Sequence, residues 1–109
     1  MGRAGEKKAS EFLAQKGYKI LSTNFKTHIG EIDIIAKDGE SIVFVEVKTR
    51  SSEAFGTPGE SVDIKKQEKY VKIAMEYLIR NNYQDKECRF DVVEIVNGQI
   101  NHIIDAFIC

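Results

Sequence analysis

Two runs of alternating and continuous apolar residues dominate the chain. Gly30-Glu31-Ile32-Asp33-Ile34-Ile35-Ala36 and Ile42-Val43-Phe44-Val45-Glu46-Val47-Lys48 are rich in β-branched and aromatic residues, with Lys37-Asp38-Gly39-Glu40 between them. Asp-Gly between two such runs is the strongest short hairpin signal. Upstream, Ala9, Phe12, Leu13 and Lys16 fall at helical spacing, which predicts a helix from about Gly2 to Lys16 that Gly17 stops. Tyr18 to Thr27 is predicted as the first strand, and its Asn24 and Lys26 read as polar exits without chemistry. Thr49 to Glu60 holds the only proline and reads as an exposed loop. Ser61 to Arg80 repeats Ile64, Val71 and Leu78 by sevens, with Tyr70, Ala74 and Tyr77 on the same stripe, so it is predicted as a long helix. Arg89–Val96 and Gln99–Ile108 are predicted as two last strands joined at Asn97-Gly98. The order is αβββαββ. A helix long enough to cross over allows a parallel pair, so the sheet is expected to be mixed and five-stranded, flanked by helices in an α/β fold.

Glu31, Asp33, Glu46 and Lys48 interrupt the apolar runs, and charges there are costly unless paired or used. Side chains alternate along a strand, so turn parity decides whether these four meet. With Asp38-Gly39 as a two-residue loop, Lys37 opposes Glu40, Asp33 opposes Phe44 and Glu31 opposes Glu46. All four charges then share one face, with Asp33 diagonal to Glu46. An odd loop would scatter them. Two carboxylates beside a lysine suit Mg²⁺ or Mn²⁺, which need few protein ligands when water and phosphate oxygens complete the shell. A structural salt-bridge cluster suits the same spacing equally well.

The chain has 109 residues, enough for one domain over 1–109, and 42% of them are hydrophobic. Charged residues make up 30%, yet the formal net charge is −1, so any nucleic-acid contact has to come from a local patch. No run of 18 apolar residues is present, so no membrane span is expected, and the first residues lack the apolar core of a signal peptide. Cys88 and Cys109 fit no zinc spacing and are expected to be reduced thiols in a cytoplasmic protein.

The phrases Gly5-Glu6, Gly30-Glu31-Ile32-Asp33, Phe44-Val45-Glu46-Val47-Lys48-Thr49-Arg50, Phe55-Gly56-Thr57-Pro58, Arg89-Phe90-Asp91-Val92-Val93 and Asp105-Ala106-Phe107 follow one another along nearly the whole chain. Together they resemble the YraN family, small bacterial proteins predicted to be endonucleases and distantly similar to archaeal Holliday junction resolvases. Asp33 with Glu46-Val47-Lys48 is similar to the acid…Glu-x-Lys signature of restriction-endonuclease-like nucleases. One departure is Asp105, where the family usually has Asn. The resemblance implies a restriction-endonuclease-like fold and a Mg²⁺- or Mn²⁺-dependent endonuclease acting on DNA, with branched or Holliday-junction DNA as candidate substrates. Under it Asp33 and Glu46 hold the metal, the Val47 carbonyl is a further ligand, and Lys48 orients the attacking water or steadies the developing charge.

Glu6 falls on the apolar stripe of its helix rather than the solvent side. A glutamate from this helix reaches the metal in the resembled nucleases, so Glu6 joins the catalytic set. Glu31 is expected to stand behind Glu46, and Gln67, a polar residue on the second helix's apolar stripe, to assist the centre from outside the ligand set. Lys65 and Lys69 share a helix face with Lys66 alongside, either an ordinary solvated face or a phosphate track. Arg50, leaving the third strand, is placed to meet a phosphate and Phe55 to stack on a base, although Phe55 serves equally as a loop anchor. His102 and the Arg89–Asp91 pair read as packing and structure. A homodimer is expected only by analogy with resolvases. The competing class is a non-catalytic nucleic-acid-binding module within a repair or recombination assembly.

Overall fold

Both helices are ended by the same hydrogen-bond pattern. In the computed structural model α1 spans Gly2–Gln15. The Tyr18 amide reaches back to the Leu13 carbonyl and the Gly17 amide to Ala14, a Schellman ending with Gly17 at φ 97°. In α2, Ile64–Arg80, the Tyr83 amide donates to Leu78 and the Asn82 amide to Ile79, with Asn82 at φ 57° in the glycine's role. The structure describes residues 2–50 and 64–107, with side chains from 5–49 and 64–106. The expected loop beyond Arg50, including Phe55, and the first turn of the expected second helix lie outside the described residues.

Five strands form one sheet in the order β1-β2-β3-β4-β5: Lys19–Lys26, Glu31–Asp38, Ser41–Arg50, Cys88–Val96 and Gln99–Phe107. All neighbours are antiparallel except β3 and β4, which run parallel from Ile42↔Cys88 to Arg50↔Val96. The crossover through α2 makes that parallel pair possible. The fold is therefore the α/β arrangement αβββαββ with a mixed five-stranded sheet that the pattern predicts. Asn97 at φ 52° and Gly98 at φ 81° close the β4–β5 hairpin, as Asn-Gly predicts.

The sheet has a core on each side. Ile35, Ile42, Phe44, Phe90 and Val92 pack under Ile73, Ala74 and Tyr77 of α2. Ile34, Val43, Val45, Val93 and Ile95 pack under Ala9 and Leu13 of α1. Alternation along β3 thus sends even positions to α2 and odd positions to α1. Phe44 is almost fully buried, with its ring 5.4 Å from Phe90 and edge-on to Tyr77 at 6.0 Å. Burying a side chain of this size contributes about 1.5–3 kcal/mol. No helix among the described residues is long and apolar enough to cross a membrane.

The expectation of reduced thiols fails at Cys88, which is disulfide-bonded. The antiparallel hairpin brings the chain back alongside the start of β4, with Phe107 opposite Phe90.

Candidate metal centre and nucleic-acid cleft

The β2–β3 hairpin turns on Gly39-Glu40, with Asp38 opposite Ser41, and not on Asp38-Gly39. Gly39 sits at φ 60°, the first central position that a type II′ turn reserves for glycine. The turn has slid by one residue on the chain, but it still holds two residues, so parity survives and the expected opposition changes. Phe44 faces Ile35 instead of Asp33, and Ile34 faces Val45. Continuing that register puts Asp33 across from Glu46, where Glu31 was expected. The ladder ends there, and the Val47 amide donates to Asp33 Oδ2 at 2.8 Å. On the other side, Ile34 pairs with Thr23 and Ile32 with Phe25, leaving Asp33 level with Asn24. Ile32 and Ile35 both join the core under α2, so strict alternation breaks between them, around Asp33.

Helix α1 brings in Glu6 from the opposite side. A Cβ on Gly5 would stand 2.6 Å from Thr49 Oγ1, so only glycine lets the helix lie this close to β3. The next residue, Glu6, receives a 2.8 Å hydrogen bond from Asn24 Nδ2, and Glu31 Oε2 receives one of 2.8 Å from the same nitrogen. Asn24, expected to carry no chemistry, joins two of the predicted acids. Its backbone is left-handed, at φ 54°.

Glu46 is 6% exposed. Its Oε2 meets Lys48 Nζ at 2.8 Å and Lys66 Nζ at 2.7 Å. Burial pushes the Glu46 carboxyl up, but hydrogen bonds from Lys48, Lys66 and Tyr70 outweigh it, and the group is held below its ordinary value. The other oxygen, Oε1, is buried and has no hydrogen-bond partner. Asp33 shows the reverse balance. Burial, with the charges of Glu6, Glu46 and Glu31, outweighs the Val47 amide and pushes its carboxyl up to about 6. A buried oxygen without a donor and a carboxyl starved of positive charge are what a cation seat looks like when only protein is considered. Among the described residues no three His, Cys, Asp or Glu side chains converge to hold an ion by themselves. The seat thus fits a cation that takes two carboxylates and completes its shell with water and phosphate, as Mg²⁺ and Mn²⁺ do, and does not fit zinc.

Beside the acids runs a cleft of about 390 Å³ lined by Ile29, Gly30, Glu31, Lys65, Lys66, Lys69, Tyr70 and Ile73. The structure therefore brings Glu6, Glu31, Asp33, Glu46, Lys48 and Lys66 to one end of the sheet, with Lys65 and Lys69 along the adjoining cleft. Lys66 belongs to both: its pKa is raised because its hydrogen bond to Glu46 outweighs burial. Gln67 is half-buried on α2 and is not among the cleft-lining residues. The Arg50 side chain lies outside the described part. Two contributors escaped the sequence reading. Tyr70 falls in the apolar stripe, yet it lies beside Glu46, and burial together with that carboxylate raises its pKa. Glu94 is buried directly beside Lys48 in the parallel ladder. Counting parity from Phe90 would have put Glu94 on the α2 face.

Residues 5–95 match the model of the Uncharacterised protein family UPF0102. A UPF0102 protein of Caldanaerobacter subterraneus is 49% identical, covering 98% of this chain and 93% of the relative. One of Clostridioides difficile is 50% identical over 97% of this chain and 95% of its own. One of Caldicellulosiruptor bescii is 53% identical over 98% and 96%. These matches run nearly end to end, as do the six phrases that carry the resemblance read from the sequence.

Proposed function

This chain belongs to the UPF0102 (YraN) family, and we propose that it is a Mg²⁺- or Mn²⁺-dependent endonuclease that hydrolyses phosphodiester bonds in DNA. The observation that carries the reading is the buried, partnerless Oε1 of Glu46, set across from an Asp33 whose carboxyl is pushed up to about 6. Asp33, Glu46 and the Val47 carbonyl would hold the ion. When bound it supplies charge to the phosphoryl oxygens and makes a water easier to deprotonate. Lys48, held at 2.8 Å from Glu46, orients the water or steadies the charge on the phosphoryl group. Glu6 would hold a water near the ion or a second ion. Lys65 and Lys69 meet strand phosphates in the cleft, and Arg50 extends that contact. A homodimer working on branched DNA with two equivalent strands fits this chemistry.

The second reading, a nucleic-acid-binding module without turnover, has its own supporting observation. Glu46 Oε2 already has two lysines on it, so its charge is answered from within. Incubating the purified protein with Mn²⁺ and a panel of linear, flapped and four-way DNAs separates the two. The nuclease reading expects cleavage in wild type and none with Asp33→Ala or Lys48→Ala. Wild-type cleavage by both variants removes these residues from the mechanism, and salt-sensitive binding that never leads to cutting favours the module.

A further inference from the structure

The acids Glu6 and Glu31 come from different elements, α1 and β2, and like charges do not gather without a holder. The holder is Asn24. Its Nδ2 lies 2.8 Å from Glu6 Oε1 and 2.8 Å from Glu31 Oε2, so its two hydrogens are shared between the two carboxylates. The residue is exposed on an outer strand, where such bonds contribute little stability. Its backbone meanwhile sits in the left-handed region at φ 54°, which most L-residues avoid and asparagine tolerates. Two further asparagines with positive φ, Asn82 and Asn97, are explained by a helix end and a hairpin turn. Asn24 lies within β1 between Thr23 and Phe25, which both pair with β2, so no turn or cap accounts for it. A left-handed asparagine here, level with the break in alternation at Asp33, brings its side chain to where it reaches both acids.

A neutral donor is what that job calls for. An arginine or lysine in this place would hold the two acids and also cancel their charge. An amide holds them and leaves the charge in place, beside Asp33 and the open oxygen of Glu46. We propose that Asn24 is the positioning residue of the metal centre: its side-chain amide clamps Glu6 and Glu31 together so that their uncancelled charge draws a divalent cation to the Asp33–Glu46 seat. This inference rests on the metal-centre reading given above.

The test is Mn²⁺ binding by calorimetry, without DNA, on the full chain. Asn24→Gly deletes the amide while tolerating the left-handed backbone, so folding is retained and the melting temperature of the metal-free protein stays where it was or rises. Removing a residue that orients ligands typically weakens metal affinity about 10–100-fold, and a loss of roughly tenfold is expected here. In a Glu6→Gln/Glu31→Gln background the clamp has no charge to place, and adding Asn24→Gly is expected to change affinity by less than about twofold. Equal affinity in wild type and Asn24→Gly overturns the proposal. So does a tenfold loss that persists in the Gln background, since Asn24 would then act by another route. A wild type that binds no Mn²⁺ at all overturns the metal centre itself, and this inference with it.

Discussion

Two carboxylate clusters, one on each side of the sheet, are treated in opposite ways. Asp91, on β4, faces α1 and is 1% exposed. Arg89 Nε reaches its Oδ1 at 3.1 Å, His102 Nε2 its Oδ2 at 2.7 Å, and the Asp105 amide its Oδ1 at 2.9 Å. The network continues outward: Arg89 also reaches Asp38 and the Tyr18 hydroxyl, and Lys16 meets His102 Nδ1 at 2.8 Å. Burial alone would raise the Asp91 carboxyl, but these donors outweigh it and hold it below its ordinary value. On the α2 side, Glu46 keeps an oxygen without a donor and Asp33 is pushed up to about 6. Both clusters even use a left-handed residue inside a strand. Asp105, at φ 58°, turns its backbone amide to Asp91 in a stretch where the β4–β5 register shifts, while Asn24 offers its side chain to two acids. Saturation marks Asp91 as structural, and the deficit around Asp33 marks the other cluster as a place for something to bind.

The same change made in both places sharpens the contrast. Asp91→Asn leaves a half-buried Arg89 against a neutral partner, and breaking a pair with one member fully buried costs up to about 3–5 kcal/mol. Urea unfolding should show that loss, whereas Asp33→Asn, which removes an unanswered charge, should leave the metal-free protein as stable as wild type or more so. Comparable losses in both would erase the distinction. The next effect is that of the ion. Mn²⁺ at a hundred times its dissociation constant should stabilise wild type by about 2.7 kcal/mol, seen as a rise in melting temperature that vanishes in Asp33→Asn and survives in Asp91→Asn. The smallest effect is the response to pH, and its sign differs between the clusters. Asp33 has its folded pKa raised, so the folded state binds the extra proton and metal-free stability falls as pH rises from about 4 through 6. Partial solvent exposure limits that fall to on the order of 1 kcal/mol. Asp91 has its folded pKa lowered, so its contribution is present above the ordinary aspartate range and is lost as acid protonates it. Melting curves of Asp33→Asn should lack the first component between pH 4 and 7 and keep the second, which shows when the curves are extended to more acid pH. An unchanged slope would mean that Asp33 does not titrate there.

Alternation made the hairpin and the meeting of Asp33, Glu46 and Lys48 legible, because a period of two survives a turn that slides without changing length. The opposing residues differ from the expectation because Asp-Gly predicts the turn one residue early, whereas a type II′ turn wants glycine first. Asn24 was missed for a different reason. A left-handed residue in mid-strand, close to the shift between Ile20 and Ser22, leaves no local signature, since asparagine is a common surface residue. Glu94 was hidden by topology: its place beside Lys48 depends on the register of a parallel pair, which a distant crossover sets. His102 and the Arg89–Asp91 pair, read as packing and structure, are found in that role, with His102 edge-on to Phe12 and Tyr18 as well as bonded to Asp91.

The Gly39-Glu40 connection also limits how this lineage can change length. Adding one amino acid between the bend and Glu46 would turn the rest of that strand over and send its acid into the oily layer under the first helix. Adding one in the bend itself would only lengthen the loop. Insertions that keep the chemistry should therefore gather at the bend and be excluded from the strands, a rule that a library of lengthened variants screened for ion binding would expose.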